Sequence, residues 1–235
     1  MRWLIVIVVT ACCTLLAGCS TPRGSKTSQL DPSQLAKGDV DRICDAHRAQ
    51  LETSLRNLAE KLYRRNPREW RNAGHASQEA AVARIFATGN YRLPELGERV
   101  GAEAIVLGLR EDYSGDRVAA FIAGTGSMLH LAFNEKHDFY VYDDLDPQRL
   151  YNAARNIEIA AWKLANSRDT NGQLLLLSNE LYPVANLSFE REFGKMIGNL
   201  DLLSLTIADK TNRTVVKVIQ NVATAVFLPV AAVLR

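Results

Sequence analysis

Between Asp41 and Arg65 the apolar residues Cys44, Leu51, Leu55, Leu58 and Leu62 stand 7, 4, 3 and 4 positions apart. On an α-helix that spacing lays them in one stripe; on a strand it would scatter them over both faces. A stripe of this kind forms only where another apolar surface covers it. The rest of the chain supplies helices for that purpose and almost no strand alternation.

The same reading places the partners. Ser77 opens a shorter helix through Glu79, Ala80, Ala81 and Val82 that ends near Gly89. Pro94 and Glu95 start another, with Leu96, Val100 and Leu107 apolar. Tyr113 to Asp116 reads as a turn, and Arg117 to Phe133, apolar and rich in small residues, as a tightly packed internal helix. Phe139 to Tyr142 is aromatic and β-branched and could be extended. Asp146-Pro147 is a strong helix start, and that helix runs to about Ser167, with Leu150, Ile157, Ala161 and Leu164 on one face. Asn171-Gly172 is a turn, Ser188 caps a segment with Glu190 and Glu192 in its first turn, and Thr211-Asn212 breaks the chain before a final apolar helix. The expected fold is mainly α: one irregular helical bundle over residues 39–235, with at most one short strand pair.

The first residues carry a different message. Arg2 is followed by the short apolar run Trp3 to Leu16, then by the small residues Ala17 and Gly18 and by Cys19. A positive start, a short apolar stretch and small residues at a cut site define an export signal, and the run is too short for an ordinary transmembrane helix. Leu16-Ala17-Gly18-Cys19 resembles the lipobox of bacterial lipoproteins. The resemblance implies a signal peptide over residues 1–18, cleavage between Gly18 and Cys19, and acyl chains on Cys19. Ser20 at the next position resembles the pattern of lipoproteins sent to the outer membrane. Two acyl chains hold firmly where one binds only reversibly, at about 0.8 kcal/mol per buried CH₂. Ser20 to Gly38, polar and bearing Gly, Pro, Ser and Thr, reads as a flexible tether behind that anchor. Two further stretches, Leu62 to Arg71 and Asp146 to Leu164, resemble a group of proteobacterial lipoproteins to which no activity is assigned. That likeness implies a location in the envelope and no chemistry.

Composition removes some functions. The whole chain has 28 basic and 26 acidic residues, and Arg2 leaves with the signal, so nothing in the charge argues for nucleic acid. Of four cysteines, Cys12 and Cys13 lie in the expected signal and Cys19, by the lipobox resemblance, would carry lipid, which leaves Cys44 without a disulfide partner in the chain.

Several clusters could carry chemistry, and each has a plainer reading. Cys44 and His47 share a helical face, as an activated thiol would, but Cys44 also lies on the leucine stripe, where a small buried apolar residue belongs. His130 and His137, with Glu135 and Asp138 nearby, lack compact metal-ligand spacing; on one helix they would stand about 10 Å apart along the axis. Asp143, Asp144 and Asp146 form an acidic loop without a calcium-loop pattern. Gly124-Thr125-Gly126-Ser127 lacks the ending of a phosphate loop and reads as close helix packing. We therefore expect no catalytic residue, metal or cofactor.

Interaction features remain. Residues 56 to 71 carry Arg56, Lys61, Arg64, Arg65, Arg68 and Arg71 with Tyr63 and Trp70 between them. Arg64, Arg65, Arg68, Trp70 and Arg71 form a patch that could face anionic lipid or an acidic partner. Residues 218–234 are uncharged and as a helix would span about 26 Å, with Gln220, Asn221 and Pro229 against a clean membrane span. The preferred expectation is a non-enzymatic binding or scaffolding lipoprotein, anchored in the outer membrane and facing the periplasm, with an envelope protein as partner. A helical carrier of lipid or a small apolar ligand, and an envelope hydrolase drawing on His130, His137 and the Asp143 to Asp146 cluster, stand as alternatives.

Overall fold

The computed structural model describes residues 38–139 and 145–230. Its helices are α1 Asp39–Arg65, α2 Pro67–Asn72, α3 Gln78–Phe86, α4 Ala102–Gly108, α5 Arg117–Ala132, α6 Pro147–Asn166 and α7 Ser188–Thr211, with a 3₁₀ turn at Pro94–Leu96. Among the described residues there is no strand, only the isolated bridges Arg168 to Leu174 and Glu180 to Asn186. The chain is mainly α, a helical bundle.

The stripe on α1 is buried as its spacing requires, with Cys44, Leu51, Leu55, Leu58 and Leu62 all in the core. It lies against α7, α5 and α3. Each fully buried leucine contributes about 1.5–3 kcal/mol relative to exposure. α5 is the central helix: it is buried on all sides from Val118 to Leu129 and touches α1, α2, α3, α4 and α6. A helix apolar all round has no solvent face to offer, so it takes the middle. Phe121 on α5 meets Phe193 on α7 edge to face, with ring centroids 6.3 Å apart.

Helix starts follow side-chain chemistry. The Ala119 N–H donates to Asp116 Oδ1 (2.8 Å), Gln148 N–H to Asp146 Oδ1 (2.9 Å) and Ala80 N–H to Ser77 Oγ (3.1 Å). Each satisfies a backbone donor that the first helical turn leaves without an intrahelical partner.

Past the end of α1 at Arg65, Pro67 occupies the first turn of α2, where its missing N–H costs nothing. Three local expectations need correction. The helix expected from Pro94 through Leu107 is broken, because Gly97 and Gly101 take φ of 61° and 56° and separate the 3₁₀ turn from α4. Ser188 does not cap α7; it is the first helical residue and accepts no capping bond. The expected final apolar helix does not form: of residues 218–234, those described, 218–230, are non-helical.

That last segment runs as a strap along α6, and its backbone is satisfied by side chains. The Val216 N–H donates to Gln148 Oε1 (2.7 Å) and Gln148 Nε2 returns a bond to Val216 O (3.1 Å). Tyr151 Oη accepts from Val218 N–H (3.1 Å) and donates to Val218 O (3.3 Å). Asn156 repeats the double bond on Leu228 (2.7 and 2.8 Å), and Asn152 Nδ2 donates to Pro229 O (2.8 Å). Positions 148, 151, 152 and 156 share one helical face, so α6 presents a ladder of amides and a phenol where a sheet would present a neighbouring strand. Asn156→Leu fills the same space but strands both backbone groups of Leu228. The expected local cost is about 2 kcal/mol, read as roughly 30-fold faster hydrogen exchange at the Leu228 amide. Unchanged exchange there would mean that the amide ladder does not hold the strap.

Candidate functional site

The basic stretch lies at the end of α1 and on α2. Three of its cations are engaged inside the domain. Arg56 sits over the Phe86 ring at 4.1 Å, Lys61 Nζ donates to Glu192 Oε1 (3.2 Å) and Ser188 O (3.0 Å), and Arg65 pairs with Glu180 at 2.9 Å. Arg64, Arg68 and Arg71 are exposed. Trp70 is half-buried against the core, with the Arg71 guanidinium 5.1 Å from its ring, so its indole is partly structural.

Beside this stretch stands a feature that residue spacing did not reveal. Glu180 and Asn186 exchange backbone hydrogen bonds (3.2 and 2.7 Å) and close residues 181–185 into a tight loop. Its side chains are apolar and face solvent: Leu181 is 76% exposed, Tyr182 85% and Val184 77%. Leu177 and Leu187 flank it and are also exposed. The loop is held to the basic stretch by Asn66, which accepts from Leu177 N–H at Oδ1 (2.8 Å) and donates from Nδ2 to Leu177 O (2.9 Å). Arg65 adds its ion pair to Glu180. An apolar tip tied to Arg65 and Asn66, in the same stretch as the exposed Arg64, Arg68 and Arg71, has the composition of a docking surface. The density of large apolar residues in Leu181 to Leu187 was its available signal.

No protein-family model, no curated protein and no solved structure matches the chain.

The two predicted histidines come closer together than one helix would allow. α5 ends at Ala132, and Asn134 and Glu135 take φ of 56° and 59°, which turns the chain back on itself. His137 thereby folds against His130 with ring centroids 5.0 Å apart, not on a second turn of the same helix. Glu135 and Asp138 are exposed on that turn. Burial, then the neighbouring His137, holds His130 below its ordinary pKa. Among the described residues no three metal-ligating side chains converge.

The remaining clusters resolve into structure. Cys44 is buried, and burial foremost pushes its thiol up to about 11, so it is not an activated nucleophile. His47 turns instead to α7, where its Nδ1 lies 2.6 Å from Asn199 Oδ1. Asp143 and Asp144 lie outside the described residues, while Asp146 caps α6 and pairs with Arg149 at 3.7 Å. Gly124 and Gly126 make room for close packing: a Cβ on Gly124 would stand 2.7 Å from Gly101 O, and one on Gly126 would enter the Tyr91 ring. No described helix is long and apolar enough to cross a membrane.

Proposed function

We propose that this chain is an outer-membrane lipoprotein, held by acyl chains on Cys19, whose helical domain is a non-enzymatic binding component for an envelope protein. The observation that carries the binding role is the exposed loop at Leu181, Tyr182 and Val184, tied through its flanks to Arg65 and Asn66 in the stretch that also bears the exposed Arg64 and Arg68. Three large apolar side chains held in water by a braced loop are costly to leave uncovered, and a partner with an apolar groove and an acidic rim would cover them. The Ser20 to Gly38 tether would give the domain reach from the membrane. A second reading, a carrier of a small ligand, draws on the hollow beside His130.

A photoreactive phenylalanine analogue at Tyr182 tests the binding role in intact cells. We expect one discrete protein cross-link, weakened several-fold by Arg64→Glu with Arg68→Glu, and no such cross-link from the exposed Leu205 on α7. Cross-linking from position 182 to lipid alone, or to nothing, would remove the docking role. Separately, Cys19→Ala is expected to abolish metabolic labelling with a palmitate analogue; persistent labelling would sink the anchoring role.

A further inference from the structure

The histidine pair borders a hollow that the docking surface does not use. Its cavity volume is about 100 Å³, within an open-mouthed depression of about 520 Å³ that includes solvent. Its floor is apolar, made by Leu51 of α1, Leu129 and Phe133 of α5, and Tyr91. Its rim carries Arg48, His130, Lys136 and His137, against the single carboxylate of Glu52.

Three features mark this hollow as built rather than left over. Tyr91, which is buried, holds φ of 60° with its ring over Gly126, a conformation that non-glycine residues rarely adopt. Such strain concentrates at functional positions and persists only where packing enforces it; here Phe86 meets the ring edge to face at 5.5 Å. Gly89, at φ of 67°, lets the His137 ring settle where a Cβ would stand 3.1 Å from its Cε1. Arg48 pairs with Glu52 at 3.5 Å, yet its buried Nε has no hydrogen-bond partner among the described residues. A buried donor without a partner costs about 1–3 kcal/mol, and a small turn of the guanidinium toward the hollow would let a ligand acceptor recover it.

We infer that this hollow binds a small organic anion: an apolar body on the Leu51, Leu129, Phe133 and Tyr91 floor, and a charged head against Arg48 and His130. Cationic donors on one side of an apolar cup select a single negative group joined to an apolar part, and charge-assisted bonds of this kind are among the strong ones. The groups around His130 are Arg48 and Glu52 from α1, Arg92 from the segment before the 3₁₀ turn, and Glu135, Lys136 and His137 after α5. Burial first, then the neighbouring His137, lowers the His130 pKa, and an anion bound beside it favours the protonated form. Binding therefore takes up a proton and tightens as pH falls towards 5.5.

Benzenesulfonate and its neutral isostere benzenesulfonamide test this, by calorimetry on the full chain in lipid nanodiscs with empty discs subtracted. The sulfonate keeps its charge from pH 5.5 to 7.5, so any pH dependence belongs to the protein. We expect one saturable site for the sulfonate, at least tenfold weaker binding of the sulfonamide, and several-fold tighter binding at pH 5.5 than at pH 7.5. Arg48→Met, which keeps the apolar stem, should weaken the sulfonate about tenfold. His130→Gln should abolish the pH dependence. No saturable binding, equal affinity for the sulfonamide, or an unchanged pH profile in His130→Gln would each overturn the site. Where Arg48→Met fails to fold, the isostere and pH comparisons decide alone.

Discussion

Gly124→Ala is expected to cost about 3 kcal/mol, the upper end of ordinary overpacking, and to lower the melting temperature by about 6–12 °C. In an exposed helix the same change stabilises, by up to about 1 kcal/mol, because alanine is the better helix former. At Gly124 the sign reverses, because the added Cβ would stand 2.7 Å from Gly101 O and 2.8 Å from Ile105 N at the start of α4. Backbone atoms cannot rotate away as a side-chain tip can, so α4 must move off α5. Gly194 and Gly198 on α7 are the control: both are exposed, and a Cβ at either meets nothing within 4 Å. Their alanine variants should gain stability. Thermal melts of the three variants read the contrast directly; equal shifts at all three positions would show that packing at Gly124 does not set the α4 to α5 separation.

The second large effect is at the start of α5. Tyr63 on α1 is fully buried, and its hydroxyl donates to Asp116 Oδ2 at 2.7 Å, while Asp116 Oδ1 takes the capping bond from Ala119 N–H. One carboxylate thus ties two helices together. Asp116→Ala loses the cap, worth about 0.5–2 kcal/mol, and strands a buried hydroxyl at about 1–3 kcal/mol, for a combined loss of about 3 kcal/mol. Tyr63→Phe removes the stranded group itself, so the double variant should be more stable than Asp116→Ala alone. Denaturant midpoints of the four proteins measure that coupling; strict additivity would show that the pair is not linked. Burial raises the Asp116 carboxyl above the ordinary range in the folded state. The folded state therefore holds its proton to higher pH than the unfolded chain does, and this group adds stability as pH falls through the folded value. Asp116→Asn should remove that contribution.

Much of the framework was legible because helices carry their own instructions. The stripe Cys44 to Leu62, the caps at Ser77 and Asp146, and the small-residue run around Gly124 all state a local outcome through spacing and side-chain chemistry. The basic stretch was legible too, but only as composition. Nothing in its spacing told that Arg65 is paired with Glu180, that Lys61 is engaged by Glu192, or that Trp70 is partly in the core. The histidine pair shows the opposite failure. Their i, i+7 spacing was read on a straight helix, and the turn at Asn134 and Glu135 halved the expected separation.

The amino-acid sequence by itself determined where α3, α5 and α6 begin, which face of α1 is apolar, and that α5 must lie inside, because those properties depend on neighbours within a few residues. Only the tertiary structure decided the fate of residues 213–230. Their apolar content suits a helix, yet Gln148, Tyr151, Asn152 and Asn156, more than sixty positions earlier, supply the hydrogen bonds that hold them as a non-helical strap along α6. It likewise brought Asn66 to Leu177 and Arg65 to Glu180, and so tied the apolar loop to the end of α1. Backbone groups accept any partner of suitable geometry, and partners distant in sequence leave no local periodicity to read.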